Sequence, residues 1–124
     1  MLLLKTRKEN LDGVIASSKH ATHYLPKAAP GDPVLIAQTK ASLDKGEKSV
    51  RYIATFQECY KDRLGESVKT WGKPWRYIVK LSHMQEVTPF NLEDIQRSNF
   101  QYGPVRTHCA LLKEDEQAVL DWLG

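Results

Sequence analysis

Pro30-Gly31-Asp32-Pro33-Val34-Leu35-Ile36-Ala37 is the stretch that most strongly indicates how this chain folds. Its first half is a strong turn signal, because Gly tolerates a positive φ and each Pro fixes its own φ. Its second half is a continuous apolar run of the kind found in central strands. The sequence therefore predicts a tight turn that leads directly into a buried strand.

Three other segments have the pattern of strands. Val50–Tyr60 alternates apolar and polar residues, which is typical of a strand with one buried face. Trp75–Leu81 alternates in the same way, and Met1–Lys5 reads as a short buried strand. Residues 40–48 and 61–70 are polar and predict loops between the strands.

Two helices are expected in the C-terminal third. Thr88-Pro89-Phe90-Asn91 has the form of a helix entry with Asn91 as N-cap, and this short helix should end near Arg97. A terminal helix follows, in which acidic residues 114–116 suit the positive end of the helix dipole. Its apolar stripe consists of Ala118, Val119, Trp122 and Leu123. Several strands and a few short helices predict a compact α+β barrel.

Length and composition limit the class of protein. The 124 residues fit one domain, expected to span 1–124, and the 41% hydrophobic and 27% charged content is that of an ordinary globular protein. No apolar run approaches the ~18 residues of a membrane span, and no signal peptide is evident, so we expect a cytoplasmic protein without a membrane partner. Two isolated cysteines, Cys59 and Cys109, suggest neither a disulfide framework nor a zinc site.

The net charge of +3 is distributed unevenly along the chain. The last twelve residues contain one base and four acids, a local charge of −3, so the remaining residues carry 17 bases against 11 acids, or +6. A basic body can attract a polyanion such as nucleic acid. The same charge also serves simple solubility, and charge alone leaves both interpretations open.

Motifs for catalysis are absent from the sequence. There is no GxSxG, P-loop, GxGxxG or HExxH motif. His20 and His23 are three residues apart but lack a third ligand, so no metal is expected. His108 and Cys109 are adjacent, which places them on opposite faces of an extended segment and disfavours a Cys/His dyad. The sequence thus predicts no cofactor and no catalytic residue.

Two tryptophans flank a Gly-Lys-Pro loop in Trp71-Gly72-Lys73-Pro74-Trp75. Loops lie at the surface, where an indole can stack on a flat ligand, and base–aromatic stacking contributes about 1–3 kcal/mol per base. The alternative is structural: Trp75 opens a strand and packs in the core, and Trp71 covers an apolar edge.

Several segments in order along the chain resemble the EVE domain and its relative the YTH domain, of the PUA-like superfamily. The segments that carry the resemblance are Leu3–Asn10, Gly13–His20, Lys27–Ile36, Arg51–Phe56, Pro74–Val79 and Tyr102–Arg106. The resemblance implies an α+β fold, a small PUA-like β-barrel of about five to six strands flanked by short helices, with a C-terminal helix. It also implies binding of DNA or RNA, with a modified, for example methylated, base in a partly aromatic pocket.

The resemblance also implies roles for particular residues. Lys5, Thr6 and Asn10 would line one side of the pocket, and Ile15, Ala16 and Ser17 would lie beside the base. Trp71 and Trp75 would be the aromatic cage, and Arg106, Lys19 and Lys73 would contact phosphate. Ile15 stands where YTH domains have their first cage tryptophan, and Arg7 and Lys8 replace a Glu-Pro pair, which favours an anionic ligand at the rim.

Two other functions fit the same sequence. A PUA-like cleft can serve a small-molecule binder or enzyme, as in ASCH-type relatives. The chain can also be a protein-interaction module beside a nuclease or other effector of a restriction or toxin-type system. Convergent polar side chains in a closed pocket would favour the former, and a large exposed apolar patch the latter.

Overall fold

The described part of the chain forms one six-stranded mixed sheet with two short α-helices. In the computed structural model, residues 2–91, 108–110 and 117 are described. The strands are β1 (Leu2–Thr6), β2 (Lys19–Thr22), β3 (Pro33–Gln38), β4 (Val50–Lys61), β5 (Tyr77–Phe90) and β6 (His108–Ala110). The helices are α1 (Lys8–Ser17) and α2 (Glu66–Trp71), with a 3-10 turn at Lys40–Ser42.

The strand order in the sheet is β2-β5-β4-β3-β1-β6. β1 and β3 are parallel, and the other pairs are antiparallel. The β4–β5 register slips near His83, whose φ of 52° marks a bulge that bends the long hairpin. As a result β2, at one end of the order, reaches β1: the Nε2 atom of His20 lies 3.0 Å from the carbonyl oxygen of Lys5. The sheet is therefore barrel-like, although no backbone ladder closes it within the described residues.

The core lies between this curved sheet and α1. All five residues of β1 are buried, and Val34, Ile36, Ala54 and Phe56 meet them from β3 and β4. Helix α1 contributes Leu11 and Val14 to the same cluster. The predicted strands 1–5, 34–37 and 50–60 are thus found within a few residues, whereas the strand predicted at 75–81 begins at Tyr77 and continues to Phe90. The predicted α+β class and strand number are confirmed.

The structure corrects three sequence expectations. Residues 61–70 are not all loop, since α2 begins at Glu66 and the carboxylate of Asp62 accepts hydrogen bonds from the first backbone N–H groups of this helix. Thr88–Phe90 do not open a helix: they continue β5, where Phe90 pairs with Val50 and is 2% exposed. Residues 8–17 form α1, which hydrophobic periodicity did not reveal. The expected helix to Arg97 and the stripe from Ala118 to Leu123 lie outside the described residues.

No described helix has the length and apolar character needed to cross a membrane.

Candidate functional site

A cavity of about 160 Å³, partly open to solvent, lies where the parallel strands β1 and β3 end. Parallel strands end at the same edge of a sheet, and here α1, α2 and β2 surround that edge. The residues that line the cavity are Lys5, Thr6, Arg7, Asn10, Val14, His20, Ala21, Thr39, Trp71 and Trp75.

The volume of the cavity limits its ligand to about one ring. An engineered apolar cavity of roughly 150 Å³ binds benzene, whereas drug-sized ligands occupy pockets of about 300–1,000 Å³. At about 160 Å³ this cavity can take a single six-membered ring, with the rest of a larger ligand left outside.

Trp71 forms one wall and is held against α1. Its indole Nε1–H donates a hydrogen bond of 3.1 Å to the backbone carbonyl of Asn10. Close packing is possible because residue 13 is Gly: a Cβ there would lie 2.6 Å from Nε1 of Trp71. Gly inside a helix is unfavourable by roughly 0.5–1 kcal/mol relative to Ala, so Gly13 has a packing reason to be there.

Trp75 forms the second aromatic wall and is fixed through its backbone. Its N–H donates to the Oγ of the buried Ser67 over 2.9 Å, and that hydroxyl donates in turn to Asp62 over 2.6 Å. Asp62 thus caps α2 and, through Ser67, holds the chain at Trp75.

The two indoles belong to a short aromatic row. Trp71 meets Trp75 edge to face, with ring centroids 6.1 Å apart and an interplanar angle of 79°. On the other side, the exposed ring of His23 stacks on Trp75 at 6.1 Å and 26°. Both indoles are half-buried, so each combines structural packing with a surface that faces the cavity. Trp71 packs against the core cluster and also lines the cavity, so its structural and stacking interpretations are compatible. The structural interpretation of Trp75 is wrong, because β5 begins only at Tyr77 and Trp75 is not among the described residues of the core cluster.

The polar side of the cavity is cationic. Lys5, 4% exposed on β1, lines it together with Arg7, whose Nε lies 2.8 Å from Glu9 at the surface. Thr6, Asn10 and Thr39 add neutral polar groups. No Asp or Glu occurs among the described residues of the lining.

The loop after β3 is tied to the start of α1, which fixes Thr39 at the cavity. The N–H of Thr39 donates to the carbonyl of Thr6 over 2.8 Å. The Oγ of Ser42 accepts the N–H of Lys8 over 3.1 Å and serves as the missing cap of α1. The ammonium of Lys8 pairs with Asp44 and, over 3.1 Å, with Glu47. Asp44 and Glu47 raise the pKa of Lys8 through these hydrogen bonds.

Five of the eight base-binding residues predicted from the sequence line this one cavity: Lys5, Thr6, Asn10, Trp71 and Trp75. The other three, Ile15, Ala16 and Ser17, lie near the end of α1 and are not among the described lining residues. Ile15 packs on the core, Ala16 is exposed, and the Oγ of Ser17 donates to the carbonyl of Gly13 over 2.6 Å. The helix contributes Val14 to the cavity instead.

The three predicted phosphate ligands are dispersed. Lys73 is exposed in the turn between the two tryptophans and forms no ion pair in the described part of the chain. Lys19 lines a separate surface recess, where its ammonium lies 3.1 Å from Glu66. Arg106 lies outside the described residues.

Lys19, Tyr60 and Glu66 form a cluster of their own in that recess. The hydroxyl of Tyr60 donates to Glu66 over 2.5 Å, and the ammonium of Lys19 lies 5.9 Å from the Tyr60 ring centroid. The hydrogen bonds from Tyr60 and Lys19 lower the pKa of Glu66. Burial, with the hydrogen bond to Glu66, raises the pKa of Tyr60. Lys19 is therefore already paired with Glu66 in this recess, which Lys61, Arg63 and Lys80 also line.

Metal and thiol chemistry find no support in the described residues. No group of three or more His, Cys, Asp or Glu side chains there could hold a metal ion. His23 faces Trp75, and His20 is bonded to the backbone of β1. Burial raises the pKa of Cys59 to about 11, so its thiol is protonated near neutral pH.

Sequence reasoning missed the residues that hold the site together. Gly13, Asp62, Ser67 and Thr39 position the aromatic and polar walls, and none of them was predicted to be a site residue. The available signals were the helix-internal Gly13 and the Asp-x-x-x-Glu-Ser stretch from Asp62 to Ser67, whose acid precedes a short helix.

Comparison with solved structures establishes the kind of fold. The ASCH protein of Zymomonas mobilis matches with a TM-score of 0.69 and 17% identity, over 99% of this chain and 95% of that chain. A tyrosine-to-phenylalanine variant of it gives a TM-score of 0.70 at 16% identity, over 99% and 98% of the two chains. A serine-to-alanine variant gives 0.69 at 16%, over 99% and 96%.

These matches show the fold alone: a small barrel-like α+β structure similar to that of the ASCH protein. No protein-family model and no curated protein sequence matches the chain. The PUA-like fold predicted from the sequence is thus confirmed, and the three solved structures named above are ASCH domains.

Proposed function

We propose that this domain binds single-stranded nucleic acid without catalysis and takes one base into the cavity between Trp71 and Lys5. The observation that carries the proposal is a one-ring cavity with two indoles on one side and two cationic side chains on the other. A predicted cytoplasmic location and a partner nuclease or other effector protein belong to the same proposal.

The aromatic walls supply the energy that base insertion requires. A base that leaves its stack loses a few kcal/mol, least in a strand that is already single. Stacking on an aromatic side chain returns about 1–3 kcal/mol per base. Because the indole of Trp71 is fixed by a hydrogen bond and that of Trp75 packs against it in the unbound protein, little side-chain entropy is lost on binding.

Cations around the mouth supply the contacts with the backbone of the polymer. Arg7 lines the cavity and Lys73 is exposed between the tryptophans, so both can reach a phosphate next to an inserted base. Contacts of this kind position the strand without reading its sequence. Arg106, in the basic body of the chain, is the third proposed phosphate ligand.

The apolar side of the cavity offers room for a modification on the base. Val14 and Ala21 line it beside the tryptophans and present only hydrocarbon surface. A methyl group packed there gains about 0.8 kcal/mol if fully buried, which gives a modest preference for a methylated base. Recognition of a modified base is therefore part of the proposal.

Binding of short fluorescent single strands tests the function directly. We expect binding at low salt that weakens as salt rises, since phosphate contacts release counterions. Trp75→Ala should weaken binding about 5- to 150-fold, which corresponds to the loss of about 1–3 kcal/mol of stacking. Tyr24→Ala is the matched control, because Tyr24 is an aromatic residue 61% exposed and outside the cavity lining.

Three results would contradict this function. They are no binding of any strand at low salt, equal losses in Trp75→Ala and Tyr24→Ala, and binding that does not respond to salt. A methylated strand that binds no better than the plain strand would remove only the preference for a modified base.

A second candidate, a binder of small molecules, is favoured by the small size of the cavity. The base of a free nucleoside fits this one-ring cavity as well as a base in a strand does. If free nucleosides bind as tightly as the strands, the rest of the strand contributes nothing to the affinity, and the small-molecule function replaces the proposed one.

A further inference from the structure

The aromatic row that begins at the cavity wall continues to the protein surface. Trp71 and Trp75 both line the cavity, whereas His23, which stacks on Trp75, is not among the described lining residues. The ring centroids of His23 and Trp75 are 6.1 Å apart at an interplanar angle of 26°, which is within the usual range of stacked aromatic pairs. One end of the row therefore lies at the cavity, and the other end lies outside it.

The backbone on both sides of His23 is fixed. β2 and β5 pair antiparallel with Thr22 opposite Tyr77, so the chain leaves β2 close to the point where Trp75 precedes β5. At the bend directly after β2, the N–H of Tyr24 donates a hydrogen bond of 3.3 Å to Oγ1 of Thr22. His23 is thereby held next to Trp75 before any ligand binds.

The imidazole of His23 has one face turned to Trp75 and the other face open to solvent. The side chain is exposed, and it does not belong to the described core cluster. Within the described residues it makes no hydrogen bond and no ion pair, so the stack on Trp75 sets the plane of its ring. An exposed aromatic face beside the cavity is a second surface on which a base can stack.

We propose, resting on the function proposed above, that His23 forms a second base-stacking site, which takes the nucleotide next to the one inserted in the cavity. The ligand is thus a single strand of which two consecutive bases are held. One base lies beside Trp71 and Trp75, and the next lies on the outer face of His23.

Insertion of one base gives the neighbouring base a reason to stack on His23. When a base leaves the strand's own stack, its neighbour loses a stacking partner, and this loss is part of the cost of extrusion. Histidine is among the side chains on which unpaired bases stack, so His23 can replace the lost partner. Because every base has a π face, the second site accepts any base and adds affinity without reading sequence.

The experiment compares two strands of about nine residues, a length within known site sizes, in which all but two positions are abasic. In one strand the two bases are adjacent, and in the other they stand at opposite ends, so both strands have the same charge and the same bases. We expect the strand with adjacent bases to bind at least about fivefold more tightly at low salt. A factor of five corresponds to about 1 kcal/mol, the lower end of base–aromatic stacking.

Three variants assign the effect of adjacency to His23. His23→Ala removes the outer ring, so the strand with adjacent bases should lose its advantage while binding of the other strand stays unchanged. His23→Phe keeps an aromatic face and should retain the advantage. His83→Asn is the matched control and should change neither strand, because His83 is an exposed histidine bonded to Ser82 and takes no part in the aromatic row. Asparagine also tolerates the φ of 52° at this position.

The outcomes separate this second site from the function on which it rests. Equal binding of the two strands, both weakened by Trp75→Ala, would overturn the second site and leave insertion of one base in place. Equal weakening of both strands by His23→Ala would also overturn it, because His23 would then act only by supporting Trp75. An advantage of adjacent bases that survives His23→Ala would assign the effect to stacking between the bases and would overturn the site as well. No binding of any strand at low salt would overturn both proposals.

Discussion

Replacing Gly13 by Ala tests whether the aromatic wall is held as the structure indicates. In an isolated helix this change is favourable by roughly 0.5–1 kcal/mol. In this chain the new Cβ would lie 2.6 Å from Nε1 and 3.0 Å from Cδ1 of Trp71, and 3.3 Å from Cγ2 of Thr70. Ordinary contacts between such atoms are about 3.5–4.0 Å, so the indole must move by about 1 Å.

That movement has two energetic consequences. The hydrogen bond of 3.1 Å from Trp71 to the carbonyl of Asn10 is lost, which removes about 0.5–1.5 kcal/mol. Crowding of a packed region adds about 1–3 kcal/mol. After the helix-propensity gain is subtracted, we expect Gly13→Ala to lower the free energy of unfolding by about 0.5–4 kcal/mol. The sign of this change distinguishes the two effects: a loss of stability indicates close packing against Trp71, and a gain indicates helix propensity alone.

Urea unfolding followed by far-ultraviolet circular dichroism measures this change without relying on tryptophan fluorescence. With a slope of about 1–3 kcal/mol per molar urea, the midpoint should fall by about 1 M. Ala16→Gly, at an exposed position of the same helix, is the control for propensity and should lose up to about 1 kcal/mol.

The double variant Gly13→Ala/Trp71→Ala provides the decisive comparison. Without the indole the new methyl group meets little resistance, so Gly13→Ala should stabilise the Trp71→Ala protein by up to about 1 kcal/mol. If Gly13→Ala stabilises the natural chain as well, Trp71 is not packed on α1 and the account of this wall is wrong.

Three further outcomes follow from the network around the cavity. Ser67→Ala should lose about 1–3 kcal/mol in urea unfolding, because the N–H of Trp75 loses its acceptor; an unchanged midpoint would contradict the contact. The hydrogen bonds of Glu66 hold its pKa below the ordinary 4.5, so the stability that its carboxylate contributes is present above pH 4.5 and is lost as the pH falls through the folded-state pKa. Glu66→Gln should therefore make the free energy of unfolding less dependent on pH below about pH 4.5. An unchanged pH dependence in that range would refute this. Burial raises the pKa of Cys59 to about 11 from an ordinary 9.0, so its thiolate fraction near neutral pH should be about 100-fold lower than that of an exposed cysteine. Its alkylation, followed by peptide mapping, should be correspondingly slow, and rapid alkylation would refute its burial.

The strands could be predicted from the sequence because their signals are local. Val34–Ala37 is an apolar run after a turn, and Val50–Tyr60 alternates, so each segment shows its burial pattern directly. Helix α1 could not be predicted in this way. It buries only Leu11 and Val14, and its N-terminus is capped by Ser42, which is 34 residues away from Lys8 along the chain.

The site could be predicted in part. The Gly-Lys-Pro loop indicates Trp71 and Trp75 as stacking residues, the resemblance adds Lys5 and Asn10, and all four line one cavity. The prediction for Ile15 fails because the helical turn at this point presents Val14 to the cavity and Ile15 to the core. Lys19 does not lie at the cavity, because it pairs in another recess with Glu66, which is 47 residues further along the chain. Such distant partners leave no local pattern in a sequence.

The way the two tryptophans are held bears on why the cavity exists at all. An indole that served only to fill the core would gain most by covering the apolar residues beneath it and leaving no space. Here the indole of Trp71 donates a hydrogen bond to the carbonyl of Asn10 and packs closely against Gly13 of α1. The backbone of Trp75 is held by Ser67, which is itself bonded to Asp62. These contacts fix Trp71 and the backbone at Trp75 beside a cavity that is present without a ligand. A cavity kept open by its own scaffold loses little order on binding, which is the arrangement expected where a single ring must supply enough energy to be bound.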